Sequence, residues 1–220
     1  MGKKVAVAIS GTILVAYLVL HMVGNLNALY GAGGSGDARE DRYAEWIRHV
    51  GQPILPRATL LWVIRAILLT ALVVHVTGVI QLRRRAAKAR PEHRSKRIGR
   101  SVSSRTMMLT GLLLLAFIVF HILQFTTLTI DVTPLHSGAV YANLYYAFQK
   151  WYFVVLYVAA VIAVGYHLNH ALWSLTQTLG YDTPARNRVI RSSATGLSLV
   201  LTVGFAVIPL AFITGVLGHP

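Results

Sequence analysis

The chain has 220 residues and a mass of 24.1 kDa; 55% of its residues are hydrophobic, only 13% are charged, and its mean hydropathy is +0.58. Soluble domains carry about a quarter charged residues, so this composition excludes a soluble fold, a disordered chain and a coiled coil, and points to an integral membrane protein. The absence of cysteine excludes disulfides, thiolate-held metals, iron–sulfur clusters and cysteine nucleophiles, and the meaning of the +14 net charge depends on where the charges sit.

A hydrocarbon core about 30 Å thick is crossed by about 20 apolar residues in a helix. Five segments qualify, at about 5–29, 58–82, 106–130, 147–178 and 194–217. Their runs of Leu, Val, Ile and Ala lack two-residue alternation, which argues against a β-barrel and predicts an all-α, polytopic fold in a single domain over 1–220. The first segment follows Met-Gly-Lys-Lys as a signal peptide would. It lacks a small-residue cleavage site and carries His21 and Asn25, so a retained helix is expected. Residues 31–46 open on a Gly-rich stretch and continue as a mixed-charge helix of interfacial character. Pro53 and Pro56 restart the chain before the second span. Residues 83–105 then hold ten of the 21 basic residues against one acid, Glu92. Residues 131–146 hold no basic residue, and 180–192 hold Arg186, Arg188 and Arg191 against Asp182.

With Lys3 and Lys4, fifteen basic residues fall on one side of the membrane. Arg39, Arg42, Arg48, Arg57 and Lys150 fall on the other, beside five acids. The positive-inside rule puts the N-terminus and the 83–105 loop in the cytoplasm and the C-terminus outside. The basic charge is a topology signal, with anionic membrane lipids as a second role; nucleic acid is not the expected partner. No internal repeat stands out.

Five of the nine histidines lie within spans, His21, His75, His121, His167 and His170, and each of the first four spans holds at least one. Ionisable residues at membrane depth are costly and mark function. At about 1.5 Å rise per residue, His21 and His121 fall outward of the membrane centre. His75 falls inward, with His167 or His170. The two layers lie roughly 10–14 Å apart along the membrane normal by that rise. Imidazole pairs facing one another across a bundle are what two bis-histidine b haems require, so the first four helices are expected to form a haem-binding bundle. Gly24 and Gly78 follow His21 and His75 by three residues on the same helix face and are expected to make room for the macrocycle. Zinc is disfavoured, since no carboxylate lies in any span and the histidines split two and two. The spare histidine of the fourth span is free to donate to a propionate or a quinone oxygen. Arg65, in the outer part of the second span, is expected to pair with a haem propionate, with snorkelling to the headgroups as the alternative. Ser10, Asn25, Gln124 and Asn169 read as helix–helix contacts. Trp46, Trp62, Trp151, Tyr145, Tyr146 and Tyr152 read as an interfacial belt.

The histidine rhythm of 21, 75, 121 and 167 comes with three local strings: HMVGN at 21–25, FHILQ at 120–124, and YHLNHALWSLTQTLGYDTPARNRVIRSS from Tyr166. Together they resemble the di-haem cytochrome b membrane anchor of succinate:quinone oxidoreductases (succinate dehydrogenase and fumarate reductase), in its five-helix single-polypeptide class. The resemblance covers essentially the whole chain. In that family the fourth-helix ligand lies thirteen residues before a turn glycine, here Gly180, which selects His167 over His170. The resemblance implies that His21 and His121 hold the outer haem and His75 and His167 the inner one. It further implies a bacterial cytoplasmic membrane, docked flavoprotein and iron–sulfur subunits on the cytoplasmic face, and menaquinone as the quinone. The dehydrogenase active site would lie in the partners, and this chain would carry electrons from the iron–sulfur subunit to the quinone. Some relatives have an acid two positions before the fourth-helix ligand, where this chain has Gly165. Gln124, Asn25, Tyr30 and Trp46 are the outer residues able to meet a quinone. Two rival readings share part of this pattern: a haem b anchor for another membrane dehydrogenase, and a haem-free transporter that uses the histidines as proton or metal sites.

Overall fold

The computed structural model describes residues 2–32, 38–88, 102–130, 138–181 and 183–220, with side chains from 106 onward in the stretch that begins at 102. Most of the 83–105 loop, with Glu92, lies outside the described residues, as do Asp131 and Asp182. The described chain is all-helical. α1 (Gly2–Asn25) runs into a 3₁₀ turn (Leu26–Tyr30), followed by α2 (Arg39–His49), α3 (Thr59–Lys88) and α4 (Val102–His121). α4 widens into a π turn (Ile122–Thr126), and then come α5 (Val140–Phe148), α6 (Trp151–Thr178) and α7 (Pro184–Ile213). Five of these segments, α1 with its 3₁₀ turn, α3, α4 from Thr106 through the π turn, α6 and α7, are long and apolar enough to cross a membrane.

Helices able to serve as the five expected spans are therefore present, with shifted ends. The last helix starts at Pro184 rather than near 194, because Thr183 caps it and Pro184 opens it. The Thr183 hydroxyl accepts from the Arg186 N–H at 3.4 Å, and proline at the first helical position has no N–H to satisfy. Its first turns are polar and exposed, so hydropathy alone places the start too late. The fourth span loses its first residues to α5, since the chain turns at Gln149 and Lys150.

α6 is the hub. It packs along α7 and α4, while α1 pairs with α3 and reaches α6 and α7. Met22, Val164, Leu168 and Leu201 join α1, α6 and α7 in one buried cluster. Tyr141, Phe148, Phe153, Tyr157 and Phe212 form a second at the α5 end. The outward faces of α1, α3 and α4 expose leucine: Leu20 is 67% exposed, Leu69 64% and Leu112 65%. That is the reverse of a water-soluble bundle and suits a hydrocarbon surround.

The short helices close one end of the bundle. Asp41 on α2 accepts from the Tyr141 N–H at 2.9 Å, and the Tyr141 hydroxyl donates to the Gly218 carbonyl at 3.0 Å. Gln149 donates to the Phe212 carbonyl at 3.0 Å. α2, α5 and the C-terminal residues are thereby tied together beside the 3₁₀ turn.

The structure also corrects the expectation that no repeat is present. Residues 10–25 (SGTILVAYLVLHMVGN) and 110–125 (TGLLLLAFIVFHILQF) correspond at an offset of 100. Ser10 and Thr110 are both buried, and each bonds back to the carbonyls three and four residues earlier, at Val7 and Ala6 and at Met107 and Thr106. Gly11 and Gly111 each face the imidazole of the next long helix, His75 on α3 and His167 on α6. α1–α3 and α4–α6 are thus two versions of one helical hairpin. The repeat is hard to see in sequence because the second helices correspond at an offset of 92, the intervening loops being unequal.

Candidate functional site

Two layers of histidine lie along the bundle axis. His21 from α1 and His121 from the end of α4 have ring centroids 5.8 Å apart, with planes at 74°. His75 and His167 lie within electrostatic reach of one another. Because His75 sits against Gly11, ten residues before His21 on α1, the layers are about 15 Å apart by helical rise.

The ring nitrogens are held in a consistent way. His75 Nδ1 is 3.3 Å from the Val7 carbonyl, which can only accept, so Nδ1 carries the proton. His167 Nδ1 is 3.2 Å from the Thr110 hydroxyl. That hydroxyl gives its own proton to the Thr106 or Met107 carbonyl, which leaves it to accept from the imidazole. His121 Nδ1 is 3.2 Å from the Tyr157 hydroxyl, which in turn donates to Gln124 Oε1 at 2.8 Å. In all three rings the Nε2 lone pair is left over among the described residues. Metal-ligating histidines are held in this manner, with the second N–H anchored on an oxygen. His21 differs: its Nε2 is 3.4 Å from the Asn25 amide, and Tyr17 stacks on its ring at 5.3 Å.

These residues fit a bis-histidine iron. A metal–nitrogen bond of about 2 Å on each side, with ring radii of about 1 Å, sets imidazole centroids about 6 Å apart, close to the 5.8 Å of His21 and His121. A Cβ on Gly11 would lie 3.2 Å from His75 Cε1, and one on Gly111 3.3 Å from His167 Cε1. The glycines that admit the imidazoles are therefore these two. Gly24 faces the Tyr43 ring, and Gly78 faces Val7.

Arg65 lies over the Trp62 ring at 4.8 Å and is within electrostatic reach of Tyr17, which places it beside the His21 layer. His170 lies edge-on to Trp173 at 5.9 Å, and its Nδ1 and Trp173 Nε1 are buried without a hydrogen-bond partner among the described residues. Arg191 covers the other ring system of that pair, 4.3 Å above Trp173. Gln124 is fully buried, whereas Tyr30 lies under Arg39 at 3.8 Å and Trp46 beside Tyr43 at 5.9 Å, both largely exposed. Asn169 donates to Thr195 at 2.8 Å, a contact between α6 and α7.

Two further residues escape sequence reasoning. Tyr157 lies mid-helix among apolar neighbours, and its only signal is its place ten residues before His167, matching Arg65 before His75. Glu40 on α2 looks like an ordinary surface acid but is 4% exposed, and its Oε2 has no partner among the described residues. Burial raises its carboxyl to about 7 and neighbouring Asp41 adds to the rise, while the Ala28 N–H pulls the other way. A carboxyl protonated more readily folded than unfolded stabilises the fold at low pH. That stability is lost as pH climbs from the unfolded value of 4.5 through about 7. The wild type should therefore be less stable at about pH 8 than at about pH 5 by up to about 3 kcal/mol, and melt lower. Thermal melts of Glu40→Gln in detergent should lose that component of the pH dependence; an unchanged profile would place the carboxyl in water.

Comparison with protein-family models, curated proteins and solved structures returned no match.

Proposed function

We propose that the chain is a di-haem cytochrome b that anchors a succinate:quinone oxidoreductase in the membrane and conducts its electrons. The observation that carries the haem reading is the set of anchored imidazoles. His75, His121 and His167 each have Nδ1 against an oxygen, with Nε2 left to bind iron. The succinate reading rests on the resemblance of residues 166–193 to the family's fourth helix and the turn after it.

Haem b would supply one-electron carriers at two depths. The chain's part is to hold them. His75 and His167 make the layer nearer Lys3, Lys4 and the basic 83–105 loop, where the flavoprotein and iron–sulfur subunits would dock. His21 and His121 make the layer nearer α2 and α5, and Arg65 beside it offers a cation to a propionate. The apolar surround keeps water from both layers, which sets the dielectric on which potential depends. Tyr30 and Trp46 give the His21 end an exposed aromatic entrance for a quinone, menaquinone in the resembled class. Asn25 and Gln124 lie deeper.

The test is a reduced-minus-oxidised spectrum with pyridine haemochromogen quantitation on protein purified from native membranes. Two b haems per chain, reducible by succinate in the co-purified complex, are expected. A b spectrum reduced only through another co-purifying dehydrogenase would move the anchor to that enzyme. No haem would overturn the conduit altogether.

A further inference from the structure

The hydrogen bonds around His121 have a direction, and the direction has a consequence. Gln124 is three residues after His121, so both lie on one face of the chain as α4 passes into its π turn. Its side chain is 1% exposed. The Tyr157 hydroxyl reaches from α6 and donates its one proton to Gln124 Oε1 at 2.8 Å. With that proton committed, the hydroxyl faces His121 Nδ1, 3.2 Å away, with a lone pair only. Nδ1 must then be the protonated nitrogen, and Nε2 the free one.

We infer that Tyr157 and Gln124 are positioning residues that fix His121 in the Nδ1–H tautomer and so present its Nε2 to the outer haem. The inference rests on the haem reading and goes beyond it, because it assigns tautomer control to an amide that reaches the imidazole only through a phenol. The surroundings favour such a device. Phe117, Phe120, Phe125 and Phe148 pack around the Tyr157 ring at centroid distances of 4.9 to 6.4 Å. None of them offers a proton or a lone pair in the manner of an amide or hydroxyl. The inner histidines need no relay, since Val7 and Thr110 do the same work directly.

The direction of the relay makes an unusual prediction. In Tyr157→Phe the hydroxyl is gone and either tautomer of His121 is open, so the outer haem stays bound. Loss of the anchored N–H makes the ligand less basic and favours ferrous iron, and about a tenfold shift in that equilibrium, about 59 mV, moves one midpoint potential upward. Gln124→Leu is worse. It leaves the Tyr157 hydroxyl with His121 Nδ1 as its nearest acceptor, which drives the proton onto Nε2 and blocks ligation. Outer-haem affinity should fall by about 10–100-fold. The double variant, Gln124→Leu with Tyr157→Phe, should regain the outer haem to the level of Tyr157→Phe alone.

The experiment is haem content and redox titration on wild type, both single variants and the double variant, purified as the full chain with its co-purifying subunits. Rescue in the double variant supports the relay, because two merely structural losses would add. A double variant as poor as Gln124→Leu, or a Tyr157→Phe titration that overlays the wild type, overturns it while the two-haem reading stands. A wild type without haem overturns that reading, and the relay with it.

Discussion

If the histidine layers hold two b haems, as proposed, His167→Ala is expected to leave the purified protein with one of them, and His170→Ala with both. The two imidazoles are one turn apart on α6, yet they are held differently. His167 lies against Gly111 with Nδ1 on the Thr110 hydroxyl, while His170 Nδ1 has no partner among the described residues and its ring turns toward Trp173. An anchored ring has little orientational freedom left to lose when it binds metal; an unanchored one must be ordered first. Pyridine haemochromogen quantitation of the two variants side by side reads the difference. Loss in His170→Ala with retention in His167→Ala would exchange their roles.

Gly165→Leu is expected to give the largest loss of stability among single changes away from the histidines. A Cβ there would lie 2.5 Å from the Thr202 hydroxyl oxygen and 3.9 Å from the Ser198 carbonyl, so α6 and α7 touch almost backbone to backbone. Thr202 cannot easily turn away, because its hydroxyl donates to the Ser198 carbonyl at 2.8 Å. Overpacking at such a contact costs about 1–3 kcal/mol, and in a chain of this size each kcal/mol lowers Tm by about 2–4 °C. A fall of about 2–12 °C in a detergent melt is the expected result. Gly165→Ala should lose less, and adding Thr202→Ala should restore it, since the conflicting atom is then absent. If Gly165→Leu melts with the wild type, the helices are further apart than this packing requires. By the same contact, a carboxylate side chain at this position has no room against Thr202.

The existence of the long helices was legible because apolar runs of this length have few other outcomes, and the histidine layers because helical rise converts residue number into depth. The helix ends were not, since Thr183 and Pro184 set the start of α7 by capping rather than by hydropathy. Spacing places Gly24 and Gly78 on the histidine faces of their own helices, but does not show what the next helix sets beside them, which is Tyr43 and Val7. Gly11 and Gly111 lie far in sequence from the imidazoles they admit and become visible only once α1 meets α3 and α4 meets α6. Tyr157 and Glu40 escaped for a similar reason, because their environments are made by residues from other parts of the chain.

The repeated hairpin bears on how such a protein is made. Each histidine pair draws one member from α1–α3 and the other from α4–α6, so on the proposed di-haem reading neither hairpin carries a complete ligand set at either depth. A half-synthesised chain in the membrane would have one imidazole per level and nothing opposite it. Cofactor capture would then be the last event of biogenesis, joining two independently inserted halves like rivets through overlapping plates. On that reading, free haem supply would set the yield of assembled protein without affecting insertion of its parts.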